Sequence, residues 1–285
     1  MRRILMILGI VIAIVAVSIP VSAITRGGAP DEGEHPYVGL MVADGFELDQ
    51  FGDPVDQNED GEIDDDDFVP LWRCSGTLIS SEVFLTAGHC TEYPSFRATI
   101  WFAEDVQSGI PENGYPFDGD VDGTNFTHPF YDPAAFFLYD LGLVVLDDPV
   151  EMDEYGALPA EGAIDDMGKG RKRSVIEAVG YGGQDIRPVP VFERIRLKAD
   201  LKVVNTKGVA GVGSFPDSNS VLVSGDAKHG GTCFGDSGGP LFIGTDSNVI
   251  GAVTSFGLNG NCAGVGGGFR IDRALELDWI NGFLD

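Results

Sequence analysis

Positive charge is scarce in this chain: 18 Lys and Arg residues stand against 45 Asp and Glu residues, a formal net charge of −27 at pH 7. Nucleic acids and anionic membranes are themselves negative, so neither is an expected partner. Self-repulsion on such an acidic surface is screened by counterions in a saline or calcium-bearing exterior. The charge balance therefore favours an extracellular protein.

A long apolar run is lacking as well. The apolar run from Ile4 to Val17 follows two arginines and is shorter than the ~20 residues of a membrane-spanning helix. Val21 and Ala23 then supply small residues at the two positions that a signal peptidase recognises. We expect residues 1–23 to be a signal peptide and the mature protein to be secreted, either extracellular or periplasmic. A membrane anchor is the weaker alternative.

Cysteines number four, and in an exported chain they should form two disulfides. His89 adjoins Cys90, but no second His or Cys follows at metal-ligand spacing. Apolar strands are predicted at 72–79 and 83–87. We expect a Cys74–Cys90 disulfide that joins them and fixes the direction of His89.

The acids are concentrated in an insertion at 44–70, where Asp44–Asp67 alone holds twelve of them and no Lys or Arg. Segment 56–67 resembles EF-hand and dockerin-type calcium loops, with Gly61 at the sharp turn and an Asp at the closing position. The predicted structural Ca²⁺ ligands are Asp56, Asn58, Asp60, Glu62 (through its carbonyl), Asp64 and Asp67. The alternative is a solvated acidic loop. A second run, 118–123, begins the same pattern but lacks its apolar anchor and closing acid.

The segment Gly235-Asp236-Ser237-Gly238-Gly239-Pro240 has three glycines in five residues around one serine. Glycines let the backbone approach a substrate and leave N–H groups free for a developing oxyanion, while the serine hydroxyl acts as nucleophile. A Gly-rich turn is the alternative. His89 is the candidate base. Asp140 lies within an apolar run, where an unpaired carboxylate is costly, and is the candidate acid that orients His89.

Three blocks carry a family resemblance: Leu85-Thr86-Ala87-Gly88-His89-Cys90, Asp140-Leu141-Gly142-Leu143, and Gly235–Pro240. In this order they resemble the signature blocks of chymotrypsin/trypsin-like serine peptidases. The resemblance implies an all-β peptidase domain at 24–285, built of two packed six-stranded antiparallel Greek-key β-barrels and a C-terminal helix. The first barrel is expected at about 35–150, the second at about 160–270, and the helix at about 271–283.

The same resemblance implies roles for individual residues. Ser237 is the nucleophile, His89 the general base and Asp140 its orienting acid, with the N–H groups of Gly235 and Ser237 as the oxyanion hole. Asp236 is expected to pair with the ammonium of Ile24, which signal cleavage exposes, so that no separate propeptide is needed. Cys233 and Cys262 are expected to form the second disulfide. The absence of a third bridge common in animal members fits a bacterial-type protein.

Substrate recognition is also implied by the resemblance. Gly231 and Thr232 are expected at the floor of the specificity pocket, where an acid would be needed to pair a substrate Lys or Arg. We expect an apolar residue before the scissile bond instead. The residues expected to pair with the substrate backbone are Ser255, Phe256 and Gly257.

The sequence therefore predicts a secreted, monomeric serine endopeptidase that cleaves proteins or peptides without a catalytic cofactor. One alternative is a catalytically idle homologue that binds a partner. Another is an enzyme whose natural substrate is an ester. His35, His128 and His229 are expected to be structural or surface residues.

Overall fold

The computed structural model describes residues 24–25, 28–135, 137–168, 174–186, 188–208, 219–226 and 229–284. The predicted signal peptide, residues 1–23, lies outside these ranges. Within them, no helix is long and apolar enough to cross a membrane.

The described part of the chain is built of short strands with two small α-helices. The strands are β1 (Ala29–Pro30), β2 (Val38–Phe46), β3 (Phe68–Leu78), β4 (Val83–Thr86), β5 (Ser95–Trp101), β6 (Val121–Thr127), β7 (Gly142–Leu146), β8 (Val175–Gly180), β9 (Leu197–Asn205), β10 (Ser220–Ser224), β11 (Pro240–Ile243), β12 (Ile250–Gly257) and β13 (Val265–Arg270). The helices are α1 (Gly88–Thr91) and α2 (Ala274–Asn281), and short 3₁₀ turns lie at Asp65–Asp67, Gln107–Gly109 and Pro133–Ala135.

Two closed antiparallel barrels of six strands each result from this chain. In the first, the strand order is β2-β3-β4-β7-β6-β5. The second repeats that order as β8-β9-β10-β13-β12-β11 and is closed by pairing of β8 with β9. The sequence-based prediction of two six-stranded antiparallel barrels is therefore confirmed.

Buried apolar and more exposed polar side chains alternate along β9, which shows why such segments form strands. Leu197, Ala199 and Leu201 are buried, whereas Lys198 and Asp200 point away from the core, as expected when side chains alternate between the faces of a sheet. Apolar and charged residues alternate from Val191 to Val204 in the sequence, a pattern that predicts a strand over this whole range. The strand begins only at Leu197, and Val191 forms an isolated bridge with Asp185 instead.

The element boundaries refine several sequence-based expectations. Barrel pairing of β2 with β3 extends to Phe46 and Phe68, so the acidic insertion leaves the barrel only at 47–67. The C-terminal helix, expected at about 271–283, spans Ala274–Asn281. The two-residue β1 pairs with the start of β9, which attaches the N-terminal segment to the second barrel.

Candidate active site

His89 and Asp140 lie at the same end of an antiparallel strand pair in the first barrel. His89 lies on α1, directly after β4, and Asp140 lies just before β7, which pairs with β4. Asp140 is fully buried. Its carboxylate accepts from His89 Nδ1, with distances of 2.9 and 3.0 Å to its two oxygens, and from the His89 backbone N–H at 2.9 Å. The imidazole is thus fixed in direction by two contacts with one carboxylate.

The electrostatics of this pair favour a protonated imidazole. Burial alone lowers the pKa of His89, but the negative charge and hydrogen bond of Asp140 outweigh it, and the pKa is raised above its ordinary value. Asp140 also accepts a hydrogen bond from Ser255 Oγ at 2.5 Å. Ser255 therefore supports the carboxylate with its side chain, a role that the sequence did not indicate.

Ser237 lies in a tight turn before β11, and two glycines around it have left-handed backbone. Gly235 has φ +96° and Gly238 has φ +78°. A Cβ on Gly238 would stand 2.0 Å from Thr86 Oγ1 and 2.5 Å from the Ser75 carbonyl oxygen, both in the first barrel. Only glycine fits there, because both the conformation and the close approach exclude a side chain. The Gly-rich sequence is what lets the serine loop dock against the other barrel.

Ser75 holds this loop from the first barrel, and sequence reasoning missed it. Its hydroxyl donates to the Gly235 carbonyl at 2.8 Å and accepts the Tyr181 N–H at 2.9 Å, while its own N–H donates to the Ser237 carbonyl at 2.8 Å. Fixing the Gly235 and Ser237 carbonyls fixes the peptide planes of the loop. The only sequence signal was a serine directly after Cys74 in a buried strand.

Asp236 is buried beneath the same loop. Its carboxylate accepts the N–H groups of Cys233 and Gly182, each at 2.8 Å. Burial nevertheless raises the pKa of Asp236 to about 6. Ile24 is fully buried and packs in the core of the second barrel. In the full-length chain its nitrogen belongs to a peptide bond, so an ion pair with Asp236 requires cleavage after Ala23.

A cleft of about 560 Å³ lies where the barrels meet and brings most of the predicted residues together. Its lining includes His89, Gly235 and Ser237 together with the predicted substrate-binding residues Thr232, Ser255, Phe256 and Gly257. Gly231 does not line it; this residue faces a separate cavity of about 10 Å³ behind Thr232. Thr25 Oγ1 contacts the Gly231 carbonyl at 3.2 Å, which places the N-terminal segment behind the predicted pocket floor.

Three aromatic or cationic residues that line the cleft were not predicted as site residues: Trp72, Phe234 and Arg73. Phe234 is 56% exposed at the rim, and Arg73 extends from β3 towards Gly235. No acidic residue is among the described residues that line the cleft. In a chain of net charge −27, the cleft surface is thus free of carboxylates among the described residues, and Asp140 and Asp236 lie buried behind it.

Both disulfides pair the cysteines expected from the sequence: Cys74 with Cys90, and Cys233 with Cys262. Among the described residues, Cys74, His89 and Cys90 form the one side-chain cluster compact enough for a metal ion. Their two sulfurs are joined to each other, however, and a disulfide sulfur is no thiolate ligand. This cluster is therefore the support of His89, as the sequence suggested, and not a metal centre.

The predicted calcium loop forms a compact turn. Gly61 has φ +91°, and its N–H donates to Asp56 Oδ2 at 2.9 Å. Asp67 is buried and accepts three backbone N–H groups, from Gln57, Asn58 and Asp64. Asp56 Oδ1 is buried and has no hydrogen-bond partner within the described structure. The second acidic run differs, because Asp122 lies in β6, pairs with β5 and accepts from Thr99.

A buried charge cluster lies outside the cleft, between β1 and the second barrel. His35 Nδ1 contacts Asp31 Oδ1 at 2.6 Å. Its Nε2 lies 3.3 Å from Glu177 Oε1, which is close enough for an ion pair but does not meet the geometry of a hydrogen bond. Arg196 Nε donates to the other Asp31 oxygen at 2.8 Å. Burial alone lowers the pKa of His35, but the two carboxylates outweigh it and raise the pKa to about 9. From the sequence, His35 was expected only to be a structural or surface residue.

The other two histidines also lie outside the cleft. His128 is buried, stacks on Tyr139 and contacts the Trp279 edge, and burial lowers its pKa to about 4. His229 is partly exposed and pairs with Asp226 at 2.8 Å.

The family model for trypsin matches residues 66–280 of the chain. Among curated relatives, brachyurin of Leptuca pugilator is 28% identical over 215 residues, which span 74% of this chain and 87% of brachyurin. Snake venom serine protease Haly-2 of Gloydius brevicauda is 30% identical over 226 residues, spanning 74% of this chain and 78% of the relative. An uncharacterised peptidase of Corynebacterium glutamicum is 26% identical over 217 residues, spanning 73% and 62%.

Solved structures share the fold at lower identity. HL collagenase superposes with a TM-score of 0.61 at 19% identity, covering 90% of this chain and 96% of that structure. Human heparin binding protein gives a TM-score of 0.60 at 20% identity, covering 91% and 96%. At these identities the two likenesses concern the fold alone.

Proposed function

The chain belongs to the trypsin family and is a serine endopeptidase, and from this premise we propose that it cleaves peptide bonds through His89, Asp140 and Ser237. The observation that carries the proposal is the contact of buried Asp140 with His89 Nδ1, in a cleft that His89 and Ser237 both line. Each side chain thus has a neighbour suited to its role in the triad mechanism.

The proposed reaction gives each of these side chains one role. Asp140 accepts the Nδ1–H of His89, which leaves Nε2 as the basic nitrogen. Nε2 takes the proton of Ser237 Oγ as that oxygen attacks the scissile carbonyl, and His89 then gives this proton to the leaving amine. The N–H groups of Gly235 and Ser237 stabilise the oxyanion, and each such donor lowers the barrier by about 3 kcal/mol. Water completes the cycle by hydrolysing the acyl-enzyme.

Specificity is proposed to exclude Lys and Arg before the scissile bond. A buried substrate cation needs a carboxylate partner, and none of the described cleft-lining residues is acidic. Gly231 and Thr232 leave that region uncharged, so we propose an apolar side chain at this position. Proteins and peptides that present such a residue are the proposed substrates, and the enzyme is proposed to act as a monomer.

Secretion and maturation are proposed to be one event. Two disulfides favour an oxidising, extracellular or periplasmic location. Cleavage after Ala23 would convert the Ile24 nitrogen to an ammonium, and Asp236 is a buried carboxylate in need of such a partner. N-terminal sequencing of the secreted protein tests this, since a first residue other than Ile24 contradicts it.

We also propose that loop 56–67 binds one structural Ca²⁺. The buried, unpartnered Asp56 Oδ1 and the sharp turn at Gly61 suit an oxygen-coordinated cation. No three acidic groups of the loop converge to coordination distance in the described structure, so binding must draw them together. Chelation should lower the melting temperature of the wild type and of Asp65→Ala, whose carboxylate is not a proposed ligand. It should leave Asp56→Ala unchanged; equal curves for wild type with and without chelator reject the site.

An idle, partner-binding homologue is the competing function. One structure of this fold is named for heparin binding, but heparin is a polyanion, and a chain of net charge −27 repels it. A fluorophosphonate probe separates the two functions. Labelling of the wild type that disappears in Ser237→Ala supports the peptidase, whereas an unlabelled, folded wild type rejects it. Parallel kinetics on matched ester and amide substrates identify the leaving group that the enzyme prefers.

A further inference from the structure

Arg73 lines the cleft, and Arg194 lies near enough to repel it electrostatically. The Nη2 and Nε atoms of Arg73 lie 3.2 and 3.3 Å from the point where a Cβ on Gly235 would stand. Arg194 stacks its guanidinium on the Tyr115 ring, 4.6 Å from the centroid, and Tyr115 also neighbours Arg73. The two cations therefore flank one aromatic ring next to the predicted oxyanion glycine.

Neither arginine has a carboxylate at ion-pair distance among the described residues. Arg73 donates to the Phe192 carbonyl at 3.5 Å, and Arg194 donates to the Gln107 side chain at 2.7 Å. The other arginines in the described ranges are paired with acids: Arg97 with Asp147, Arg196 with Asp31, Arg270 with Asp165 and Asp272, and Arg273 with Asp165. In a chain with 45 acidic residues, this leaves Arg73 in the cleft, with Arg194 near it, for an external anion.

Electrostatics add to the geometric argument. Burial lowers the pKa of Arg73, and repulsion from Arg194 acts in the same direction, against the attraction of Tyr115 and Asp236. An anion bound to Arg73 would stabilise its charge, because it would compensate both for the partial loss of solvent and for the repulsion from Arg194.

The position of Arg73 relative to Ser237 indicates which part of a substrate it meets. The acyl half of the substrate is proposed to lie along Ser255–Gly257 and above Thr232, which are all in the second barrel. Trp72, Arg73 and Cys74 line the cleft from β3 of the first barrel, not from the second barrel. Because the acyl half is assigned to the second barrel, we assign the peptide that leaves as the amine to the first-barrel side, where Arg73 lies.

We propose that Arg73, supported by Arg194, binds the carboxylate of an Asp or Glu side chain in the first residues after the scissile bond. The inference rests on the proposed peptidase function and adds a second determinant to it, on the leaving-group side. The preferred substrate is then an apolar residue followed closely by an acidic one.

The test uses C-terminally amidated peptides that differ only by Asp or Asn at the first, second or third position after the scissile bond. At low salt, the wild type should show a kcat/KM for Asp about tenfold that for Asn at one of these positions. Arg73→Gln should bring this ratio close to one, and Arg73→Glu should favour a Lys peptide over the Asp peptide. Arg97→Gln removes an equal charge from outside the cleft and should keep the wild-type ratio.

Titration of active sites with a fluorophosphonate is done first, so that two failures remain distinct. No labelling rejects the peptidase function itself. Full labelling with a kcat/KM ratio of Asp to Asn peptides of one or less rejects only the role of Arg73. The role is also rejected if the wild-type ratio persists in Arg73→Gln, or if this variant loses kcat/KM equally on all peptides. Should Arg73→Gln not fold, the wild-type ratio must still fall as salt is raised from 0.02 to 0.5 M; a salt-independent ratio overturns the proposal.

Discussion

Deprotonation of His35 should cost the protein a measurable part of its stability at alkaline pH. The imidazolium is enclosed by Asp31 and Glu177 and stacks on Phe242 at 5.0 Å between centroids. Its pKa is raised from 6.5 to about 9. Because each pKa unit is worth 1.36 kcal/mol, the difference of roughly 2.5 between the folded and unfolded pKa of His35 corresponds to about 3 kcal/mol of unfolding free energy.

The sign follows from the direction of the shift. The folded protein holds the His35 proton more tightly than the unfolded chain, so the stabilisation is complete below about pH 6.5. It is lost progressively as pH rises to about 9. A neutral imidazole then leaves Asp31 and Glu177 buried with less compensation, with only Arg196 still paired to Asp31.

Urea unfolding between pH 6 and 9.5 measures this effect, with Ser237→Ala as the background so that self-digestion does not interfere. The difference in free energy between this background and one that also carries His35→Gln should shrink by about 3 kcal/mol across the range. His229→Gln removes an exposed, Asp-paired histidine and serves as the control, because such surface pairs contribute little. A difference that stays constant with pH for His35→Gln refutes the reasoning.

Three further predictions concern the cleft. Asp140→Asn should lower kcat/KM by about 10⁴-fold, since the amide disturbs the tautomer of His89. Steady-state kinetics test this prediction, with an unchanged melting curve as the control for folding. A loss of kcat/KM below tenfold contradicts it. Because the pKa of His89 is raised above 6.5 and the base must be neutral, kcat/KM should rise with pH through an inflection above 6.5, and an inflection below 6 would contradict this. Ser75→Ala removes the donor to the Gly235 carbonyl and should lower kcat by about fivefold. Ser224→Ala should not, because this hydroxyl donates to the Lys202 carbonyl and does not line the cleft.

The catalytic candidates and the barrels could be predicted because both leave local signals. Period-two patterns marked strands such as β9, and each of His89, Asp140 and Ser237 sits in a short motif with its own neighbours. Local sequence also sufficed for the disulfides once the family resemblance was in place. Boundaries were less accurate: α2 is shorter than expected, and 191–196 is not strand.

Contacts between distant parts of the chain could not be predicted. Ser75 meets Gly235 across 160 positions, and nothing near Ser75 in the sequence indicates that partner. The cluster of Asp31, His35, Glu177 and Arg196 forms only when β1, β8 and β9 come together, so the sequence around His35 does not show its partners. Nothing in the sequence singled out Arg73, because its lack of a carboxylate partner among the described residues is a property of the folded surroundings.

The pairing of β1 with β9 has a kinetic consequence for maturation. Ala29 and Pro30 are fixed against Lys198 and Leu197, and Asp31 is fixed by Arg196. The proposed cleavage after Ala23 would leave the new chain end at Ile24 on a tether of only a few residues, which would keep the effective concentration of its ammonium on the order of millimolar. The proposed docking of this ammonium on Asp236 would then be an intramolecular step, whose rate does not depend on the concentration of the enzyme.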